Sequence, residues 1–585
     1  MRISDFYHTW DIGRQAKIND WNEIRRYITA TDTTSTSNAK LPWKNKTTLP
    51  KLCQIRDNLS ANYMAALFPK RKWLTWLADD KSSGKKKKKD AIENYVSYLI
   101  DHPEFKNEVS KMVLDYIDYG NAFGTVEWID DRQQMPDGSV KSGFVGPMLR
   151  RISPLDIVFN PISPNFTSSP KIEKTIMTIG EFKRQLEQLA QPDQKEAYEK
   201  LFKYLMEVRR EVHQNAGDLH EKDDYLKVDG FTSFRHYLTS DYVELLTFQG
   251  DMFDVETDTL YRNHIITVVD RHKIVSIEPN PTHFGNPPIY HSGWRVRQDN
   301  LWAMGPLDNL VGLQYRIDHI ENLKADLFDL ITFPPIKIRG YVEDFTWGPM
   351  EKIITSEEGD VELMSPKADA LNANLELQTL MQIMEEMAGS PKEAMGIRTP
   401  GEKTAYEVQR LESAAGRIFQ AKITQFEEQI LEPLLNAMLE MGRRKLDTTM
   451  IHVFDDEFKT QSFMSLTAED ITGNGRIKPY AARHFAERAE RVQNLNNFFQ
   501  SAVGNDPEIK AHFSTVQIAK MFENLLELTD YKLVVPYVRL SEQAEAQRLM
   551  NSQDEQVTME AETPAGLAED DFDTDVDLEG TDTGL

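Results

Sequence analysis

The chain has 585 residues, a formal net charge of −25 and a hydrophobic fraction of 40%. This length accommodates several domains or subdomains around globular cores. A chain this acidic does not hold nucleic-acid phosphates with a broad cationic surface, so any DNA that it handles is expected to slide past an electronegative wall.

Cysteine usage and apolar runs exclude further classes of protein. Cys53 is the only cysteine, which excludes an intrachain disulfide and a cysteine-rich zinc site and suits a reducing cytoplasm. The first 30 residues alternate charged and aromatic side chains, so we expect no signal peptide. No run of apolar residues approaches the 18 or so of a membrane span, so no membrane partner is expected.

Residues 1–120 predict a mostly helical region. Trp10–Ile28 has a mixed pattern, and apolar residues at helical spacing predict three helices, over Leu49–Phe68, Ala91–Ile100 and Phe105–Tyr119. The lysine run Lys85–Lys89 is the one strongly basic stretch. Such runs most often form a solvated loop tip. The alternative function is a contact with packaged DNA or with a scaffolding or capsid protein.

The next region predicts antiparallel sheet with one helical insertion. Alternating apolar residues and turn signals indicate strands, at Phe123–Ile129, Lys141–Arg151, Leu155–Phe159, Tyr242–Phe248, His264–Val269 and Lys273–Ile277. The segment Glu181–Val212 predicts a helix. Together with the first region, this pattern favours an α+β fold that is predominantly helical.

A helix–hairpin–helix arrangement is predicted next. Pro306 suits the first turn of a helix, and a leucine stripe runs from Leu307 to Leu330 until Pro334 and Pro335 end it. This stripe is expected to form core or a subunit interface. Short strands at Ile336–Arg339 and Val361–Met364 precede a helix over Asn372–Met387. Four acidic residues in this segment form either an ordinary solvated surface or a docking face for a basic partner: Glu357, Glu358, Asp360 and Glu362.

A loop broken by Pro and Gly then leads into a very long helix. Thr404 and Glu407 form a capping box, and apolar residues recur at helical spacing as far as Leu446. At 1.5 Å per residue this helix is roughly 65 Å long. Pro433 is expected to kink it, because proline deletes a backbone hydrogen bond.

The C-terminal part predicts a strand, a helical region and an acidic tail. The strand covers Met450–Phe454, and helical spacing covers Ala481–Leu528. From Asp554 to Asp582 the chain carries 12 acidic residues and no basic residue. Such a segment does not bury enough apolar surface to fold alone, so the tail is expected to be disordered.

The loop before the long helix also resembles a degenerate phosphate-binding loop. Gly396 and Gly401 have the spacing of a P-loop, but Glu402 stands where the lysine should follow the second glycine. A nucleotide hydrolase that uses Lys403 is therefore an alternative of low weight. The histidines lack metal-ligand spacing and no catalytic triad stands out, so we expect no enzyme activity, no cofactor and no metal site.

Three stretches carry a resemblance to a known family. They are Trp294–Leu310, Asn58–Pro69 and Met395–Val408, the last with a Thr-Ala-x-Glu-Val core. These stretches and the order of the predicted elements over roughly residues 50–530 resemble the portal proteins, or head-to-tail connectors, of tailed bacteriophages, most closely of the podovirus type.

The resemblance implies a non-enzymatic ring, usually dodecameric, at one vertex of the viral capsid. Double-stranded DNA would pass along its axis during genome packaging and ejection. The terminase large subunit would dock on it during packaging, and tail, adaptor or head-completion proteins would replace the terminase. Major capsid and scaffolding proteins would be further partners. The protein would occur in the host cytoplasm during assembly and then in the virion. A non-conducting structural component of a virion is the remaining alternative.

The resemblance also implies a division of the chain. Its parts are an N-terminal α+β wing region (1–305), a first stem helix (306–333), a clip (334–372), a second stem helix (373–390), a tunnel loop (391–403), the long wing helix with the following strand (404–475), a helical crown (476–550) and the acidic tail (551–585). The residues assigned to the tunnel loop at the DNA channel are Gly396, Arg398, Thr399, Gly401 and Lys403. Arg398 and Lys403 would touch phosphates weakly, and the glycines would let the loop move.

Overall fold

The computed structural model describes residues 2–30, 44–68, 73–130, 133–134, 140–141, 143–189, 198–204, 206, 242–254, 258–271, 273–280, 289–343, 354, 360–364, 373–388, 418–446, 448–455, 460–479 and 521. The chain divides into two compact units, Met1–His484 and Phe485–Leu585. The architecture below is that of the first unit. Its fold is α+β, with helices and antiparallel sheets, as the sequence predicted.

The N-terminal half alternates helices with strands. The helices are α1 (Arg2–Thr29), α2 (Lys51–Leu67), α3 (Lys86–Ile100), α4 (Pro103–Asp118) and α5 (Ile179–Leu189). The strands are β1 (Leu74–Ala78), β2 (Asn121–Asp130), β3 (Gln133–Gln134), β4 (Val140–Lys141), β5 (Val145–Ile152), β6 (Ile157–Phe159), β7 (Lys171–Thr178), β8 (Tyr242–Asp254), β9 (Thr259–Val269), β10 (Lys273–Pro279) and β11 (Tyr290–Gly293).

Helix α1 differs from the mixed structure expected over Trp10–Ile28, because it is one continuous helix. The reason is Arg14, a charged residue on the buried face that interrupts the apolar pattern. Its guanidinium donates hydrogen bonds to the carbonyl oxygens of Pro154 (2.7 Å) and Leu155 (2.9 Å). A buried cation satisfied by backbone carbonyls is stable inside the protein but looks like a surface residue in the sequence.

Two antiparallel sheets form the strand layers of this half. One has five strands in the order β10–β9–β8–β7–β6, and the other has three in the order β11–β2–β5. Apart from β6, β10 and β11, their strands are eight or more residues long. The strands predicted from alternating residues are confirmed, within a few residues at their ends.

The long helix packs on the three-stranded sheet and on α4, and it lies in the largest core. Residues 418–426 are α-helical, Glu427–Leu431 form a π turn, and Glu432–Lys445 are again α-helical. The approach is close, since a Cβ on Gly124 of β2 would lie 2.9 Å from Leu434 Cδ1. The predicted residues 404–417 of this helix lie outside the described residues.

The π turn stands directly before Pro433. The N–H of Glu432 donates to the carbonyl of Glu427, one residue further back than in an α-helix. Proline has no N–H, and its ring crowds the carbonyl four residues earlier. A wider turn relieves that crowding, so the proline expected to kink the helix coincides with a local change of helix type.

The region between residues 311 and 388 forms an arm of two helices and a hairpin. The first arm helix is Val311–Thr332 and the second is Asn374–Ala388. Between them, β12 (Ile336–Arg339) pairs antiparallel with β13 (Asp360–Leu363), which confirms the predicted hairpin strands to within one residue.

The first arm helix begins later than the predicted residue 306. The carboxylate of Asp308 accepts a hydrogen bond from the N–H of Gly305 (3.2 Å), and Leu310 N–H donates to Leu307 O. These bonds hold residues 305–310 in turns, which replace the first helical turn expected from Pro306.

The described C-terminal part is a hairpin followed by a strand that returns to the N-terminal half. Strands β14 (Thr448–Asp455) and β15 (Thr460–Thr467) pair with each other, and a short helix, Ala468–Ile471, follows them. Strand β16 (Gly475–Pro479) pairs with β1. Residues 476–479, which the sequence assigned to a helical crown, are therefore strand. Apart from Met521, residues 480–550 and the acidic tail lie outside the described residues.

The lysine run also differs from the expected loop tip. Lys85 precedes α3, and Lys86–Lys89 form its first turn. None of the helices described here is long and apolar enough to cross a membrane.

Candidate functional site: the exposed arm

The predicted site residues fall partly outside the described residues. The tunnel-loop residues Gly396, Arg398, Thr399, Gly401 and Lys403 lie there, as do Glu357 and Glu358 of the clip. Asp360 and Glu362 are described, and both side chains are exposed on β13. The structure therefore bears on the hairpin of β12 and β13, which was predicted as a clip, and on the two helices beside it.

The hairpin at the end of the arm pairs opposite charges across its strands. Glu362 lies opposite Lys337, and their charged groups are 3.0 Å apart. Asp360 lies opposite Arg339. On the described part of the hairpin, the two carboxylates of β13 thus lie opposite two cations of β12, and the docking face stays a prediction.

The arm carries more than half of the large hydrophobic side chains that are exposed in the described part of the chain. The most exposed are Leu375 (76%), Phe333 (75%) and Tyr341 (75%). The others are Tyr315, Leu323, Phe328, Leu330, Ile336, Ile338, Ile354, Met364, Ile383 and Met387. Exposed apolar residues scattered singly are ordinary, but a contiguous region of them marks an interaction surface.

The leucine stripe of the first arm helix is core at one end and exposed at the other. Ile317 and Ile320 are buried, whereas Leu323, Phe328 and Leu330 are exposed. Of the preceding turn, Leu307 and Leu310 are fully buried. The inner half of the stripe is therefore core, as expected, and the outer half is exposed, with the change near residue 322. The role of the outer half as a subunit interface stays a prediction.

The base of the arm is held by a polar ladder. Gln314, Asp318, Asn322 and Asp326 follow one another at intervals of four residues along one face of the first arm helix, and they bind the backbone of residues 44–52, which we call the strap. Asn322 Oδ1 accepts from Thr47 N–H (2.8 Å), and its Nδ2 donates to Thr47 O (2.7 Å). Asp318 accepts from Leu49 N–H (3.0 Å).

Both ends of the ladder also bind the strap. Gln314 Nε2 donates to Leu49 O (2.6 Å). Asp326 accepts hydrogen bonds from the N–H groups of Asn45 (2.8 Å) and Lys44 (3.0 Å). Burial opposes ionisation of Asp326, but these hydrogen bonds outweigh it and lower the pKa of its carboxyl. The helix thereby satisfies the backbone groups of an extended segment as a neighbouring strand would.

A buried ion pair joins the strap to the second arm helix. The ammonium of Lys51, at the end of the strap, lies 2.5 Å from the carboxylate of Glu385, and both side chains are less than a tenth exposed. Met384 and Ala388 of the same helix end are buried in the largest core. The arm is thus fixed at its base by polar and apolar contacts together.

The chemistry of the arm is that of a contact surface. Its charged residues pair with each other, as in the 2.9 Å ion pair of Arg316 and Glu376 between the two helices. In the described ranges, no group of three or more histidine, cysteine, aspartate or glutamate side chains is placed to hold a metal ion. The polar ladder was not predicted, although its four-residue spacing on one helix face is visible in the sequence.

No family model matches the sequence, and no curated protein matches it significantly.

Proposed function

We propose that this protein is a portal protein of a tailed bacteriophage. It assembles into a ring at one capsid vertex, dodecameric as in the family that it resembles. The ring conducts double-stranded DNA during packaging and ejection without enzyme activity of its own. The exposed apolar surface of the arm is the observation that carries this proposal.

The distribution of this surface favours a ring over a two-fold dimer. Apolar side chains are exposed on both arm helices, and every residue of β12 is exposed, so both faces of the hairpin are open. A two-fold contact uses one patch twice, whereas a ring subunit uses two different patches, one for each neighbour. An arm with exposed apolar residues on two sides therefore suits a ring subunit better than a two-fold dimer.

The order of the elements supports the same proposal. Two helices joined by a small hairpin precede the loop segment and the long helix, in the order that the resemblance implies for stem, clip, stem, tunnel loop and wing helix. The net charge of −25 favours passage of DNA without adhesion. The terminase and then tail or adaptor proteins would dock at the clip, and capsid and scaffolding proteins would surround the ring.

Particle images of the purified protein test the assembly. We expect closed rings with a central channel in negative stain and a single high-mass species by mass photometry. The double variant Phe328→Asp, Phe333→Asp is expected to remain monomeric, because each charge would be buried without a partner at the contact.

A matched variant separates this effect from a general loss of solubility or folding. Phe253 and Leu260 are similarly exposed but lie on the β8–β9 hairpin, so Phe253→Asp, Leu260→Asp should leave the rings intact. Wild-type protein that stays monomeric over a range of salt and concentration would refute the proposal, as would arm variants that still form rings.

Conduction requires a second test in an assembly system. A chain lacking residues 396–402 is expected to form rings and capsids but to package or retain less DNA. Normal packaging by this variant would instead favour a non-conducting structural component. ATP turnover by the purified ring that is lost in Lys403→Ala would favour the nucleotide hydrolase.

A further inference from the structure

Six lysines within nine residues form a cationic surface on this acidic protein. They are Lys81 and Lys85–Lys89, which we call the lysine platform. The side chains of Lys81, Lys85, Lys86 and Lys87 are exposed, and those of Lys88 and Lys89 are half-buried. The platform lies at the start of α3, which is separate in sequence and structure from the arm.

The backbone that displays the lysine platform is held in place by hydrogen bonds. The carboxylate of Asp80 accepts from the N–H of Ser83 (2.6 Å) and from Asn474 Nδ2 (3.1 Å). These bonds, with that from the Ser82 hydroxyl, lower the pKa of Asp80 to about 2. Trp76 Nε1 donates to Ser83 O, and β1 pairs with β16 beside it. The lysines therefore start from an ordered loop and helix, which reduces the entropy lost on binding.

The positions of these lysines oppose helix stability. Helix α3 has no acidic residue in its first turn, and Lys85 at its N-cap makes no side-chain capping bond. The N-terminus of a helix carries a partial positive charge, so cations there are unfavourable, and like charges three or four residues apart add repulsion. Lysines that destabilise the start of their own helix and gain no stabilising contact there indicate a role outside the helix.

Carboxylates compensate only one side of the lysine platform. Lys89 lies 3.7 Å from Glu93, and the charges of Lys87 and Lys88 help to lower the pKa of Asp470, after its hydrogen bonds with Thr467. Within the described part of the chain, no carboxylate pairs with Lys81, Lys85 or Lys86. The outer side of the platform therefore keeps its positive charge.

The surroundings of the lysine platform decide between two kinds of anionic partner. Among the described residues between Ile12 and Ile162, no large hydrophobic side chain is exposed. A protein partner requires an apolar centre to its interface, whereas binding to a phosphate backbone requires only positive charge. We propose that the lysine platform binds the phosphate backbone of nucleic acid without reading its sequence, at a place distinct from the arm.

Fluorescence anisotropy with a labelled 30-base-pair DNA duplex tests this proposal at several NaCl concentrations. The quadruple variant Lys81→Gln, Lys85→Gln, Lys86→Gln, Lys87→Gln is expected to bind at least about tenfold more weakly in low salt. Each phosphate contact contributes about 0.9 to the slope of log K against log salt. Loss of four contacts should therefore make that slope shallower by about 3.6.

The control variant removes the same charge at other exposed lysines, Lys106→Gln, Lys200→Gln, Lys203→Gln, Lys273→Gln. It should bind DNA much as the wild type does, because it has the same net charge as the platform variant but keeps all the charges of the lysine platform. Equal weakening by both quadruple variants would show that net charge alone matters and would overturn the proposal. So would a wild type that does not bind the duplex, or polyglutamate that competes as strongly as DNA of equal charge.

Two further measurements keep the outcome interpretable. Circular dichroism during heating should show that the platform variant is at least as stable as the wild type, because the lysines disfavour the start of α3. Particle images of the same samples report ring formation separately. Weak DNA binding by intact wild-type rings would therefore reject the platform alone, and wild-type monomers that bind DNA through it would reject only the ring.

Discussion

The long helix of the body and the first helix of the arm have similar apolar content but use it differently. In the long helix, Leu434, Leu435, Met438 and Leu439 are completely buried. In the outer half of the arm helix, Leu323, Phe328 and Leu330 are exposed. The body is stabilised by its own core, whereas the arm combines a fixed base with apolar surface that no described residue covers.

This difference shows that an apolar stripe predicts that one face of a helix will be buried. It does not predict whether the same subunit or another molecule buries that face. Within the same subunit, the long helix meets β2 and β5, and its Phe426 contacts Tyr116 of α4. The arm helix meets the strap through hydrogen bonds at its base and extends beyond it. Variants that affect subunit folding and ring assembly separately test this difference between the two helices.

The largest difference is expected between two phenylalanines. Phe426 is completely buried, with its ring centroid 5.1 Å from that of Tyr116, whereas Phe328 is 60% exposed. Phe426→Ala should lower the free energy of unfolding by about 3–5 kcal/mol through lost contacts and a cavity. Phe328→Ala should change that of the monomer by less than about 0.5 kcal/mol. Urea denaturation of monomeric protein measures both values, and equal losses would contradict the comparison.

The polar ladder at the base of the arm should have the next largest effect. Asn322→Leu leaves the N–H and carbonyl of Thr47 without their partners, and the side chain of Asn322 is fully buried. Loss of these bonds should lower the free energy of unfolding by about 2–3 kcal/mol. Amide exchange at Thr47 should also become faster.

The control for this variant is Gln382→Leu on the second arm helix. It makes the same kind of change at an exposed residue whose amide, among the described residues, donates only to Glu386 (2.9 Å). It should have almost no effect on stability. A ladder variant that is no worse than this control would show that the strap contributes nothing to the stability of the arm.

Lowering the pH should destabilise the folded protein because His291 is buried in its neutral form. Its ring stacks on Phe123 and lies tilted against Phe166, and Nε2 donates to Asn121 Oδ1. Burial, and then the charge of Lys171, lower the pKa of His291 to about 3. The unfolded chain therefore binds a proton below about pH 6.5 that the folded chain refuses, so stability falls as the pH falls from 6.5 towards 3.

The size of this acid effect follows from the linkage of protons to folding. Between pH 7 and pH 5 the wild type should lose about 2 kcal/mol more stability than His291→Gln, in which this group no longer titrates. Denaturation of both proteins at the two pH values gives this difference. Parallel pH profiles would show that the histidine is not buried in its neutral form.

The smallest effect is expected for the ion pair between the two arm helices. Arg316 and Glu376 lie 2.9 Å apart, but about half of each side chain is exposed. Solvent screens such pairs, so a double-mutant cycle with alanine should give a coupling of only about 0.5 kcal/mol. A coupling of several kcal/mol in the monomer would mean that the arm has a packed interior of its own.

Elements with local signals were predicted well from the sequence. Strands Ile336–Arg339 and Asp360–Leu363 were expected to within one residue, because Pro334 and Pro335 and the alternating residues mark them. The helices α2 and α4 were recognised from their apolar spacing. The α+β class follows from such elements, since each is specified by neighbours in the sequence.

Features that depend on distant contacts were not predicted. The sequence does not show that Arg14 would be buried against the carbonyls of residues 154–157, nor that residues 44–52 would lie along the arm helix. Of the candidate site, the presence of the hairpin was predicted, but the cross-strand partners of Asp360 and Glu362 became visible only in the register of β12 and β13. Tertiary contacts, which propensity does not encode, decide these cases.

The pairing of β1 with β16 has a consequence for synthesis of the chain. Leu74 lies opposite Pro479, about 400 residues later. At roughly 5–20 residues per second, a ribosome needs on the order of 20–80 s to make the intervening chain. During that time β1 stays an open edge that invites association with other chains. A cell that makes many copies at once must therefore shield nascent subunits, for instance with a chaperone, until β16 has been synthesised.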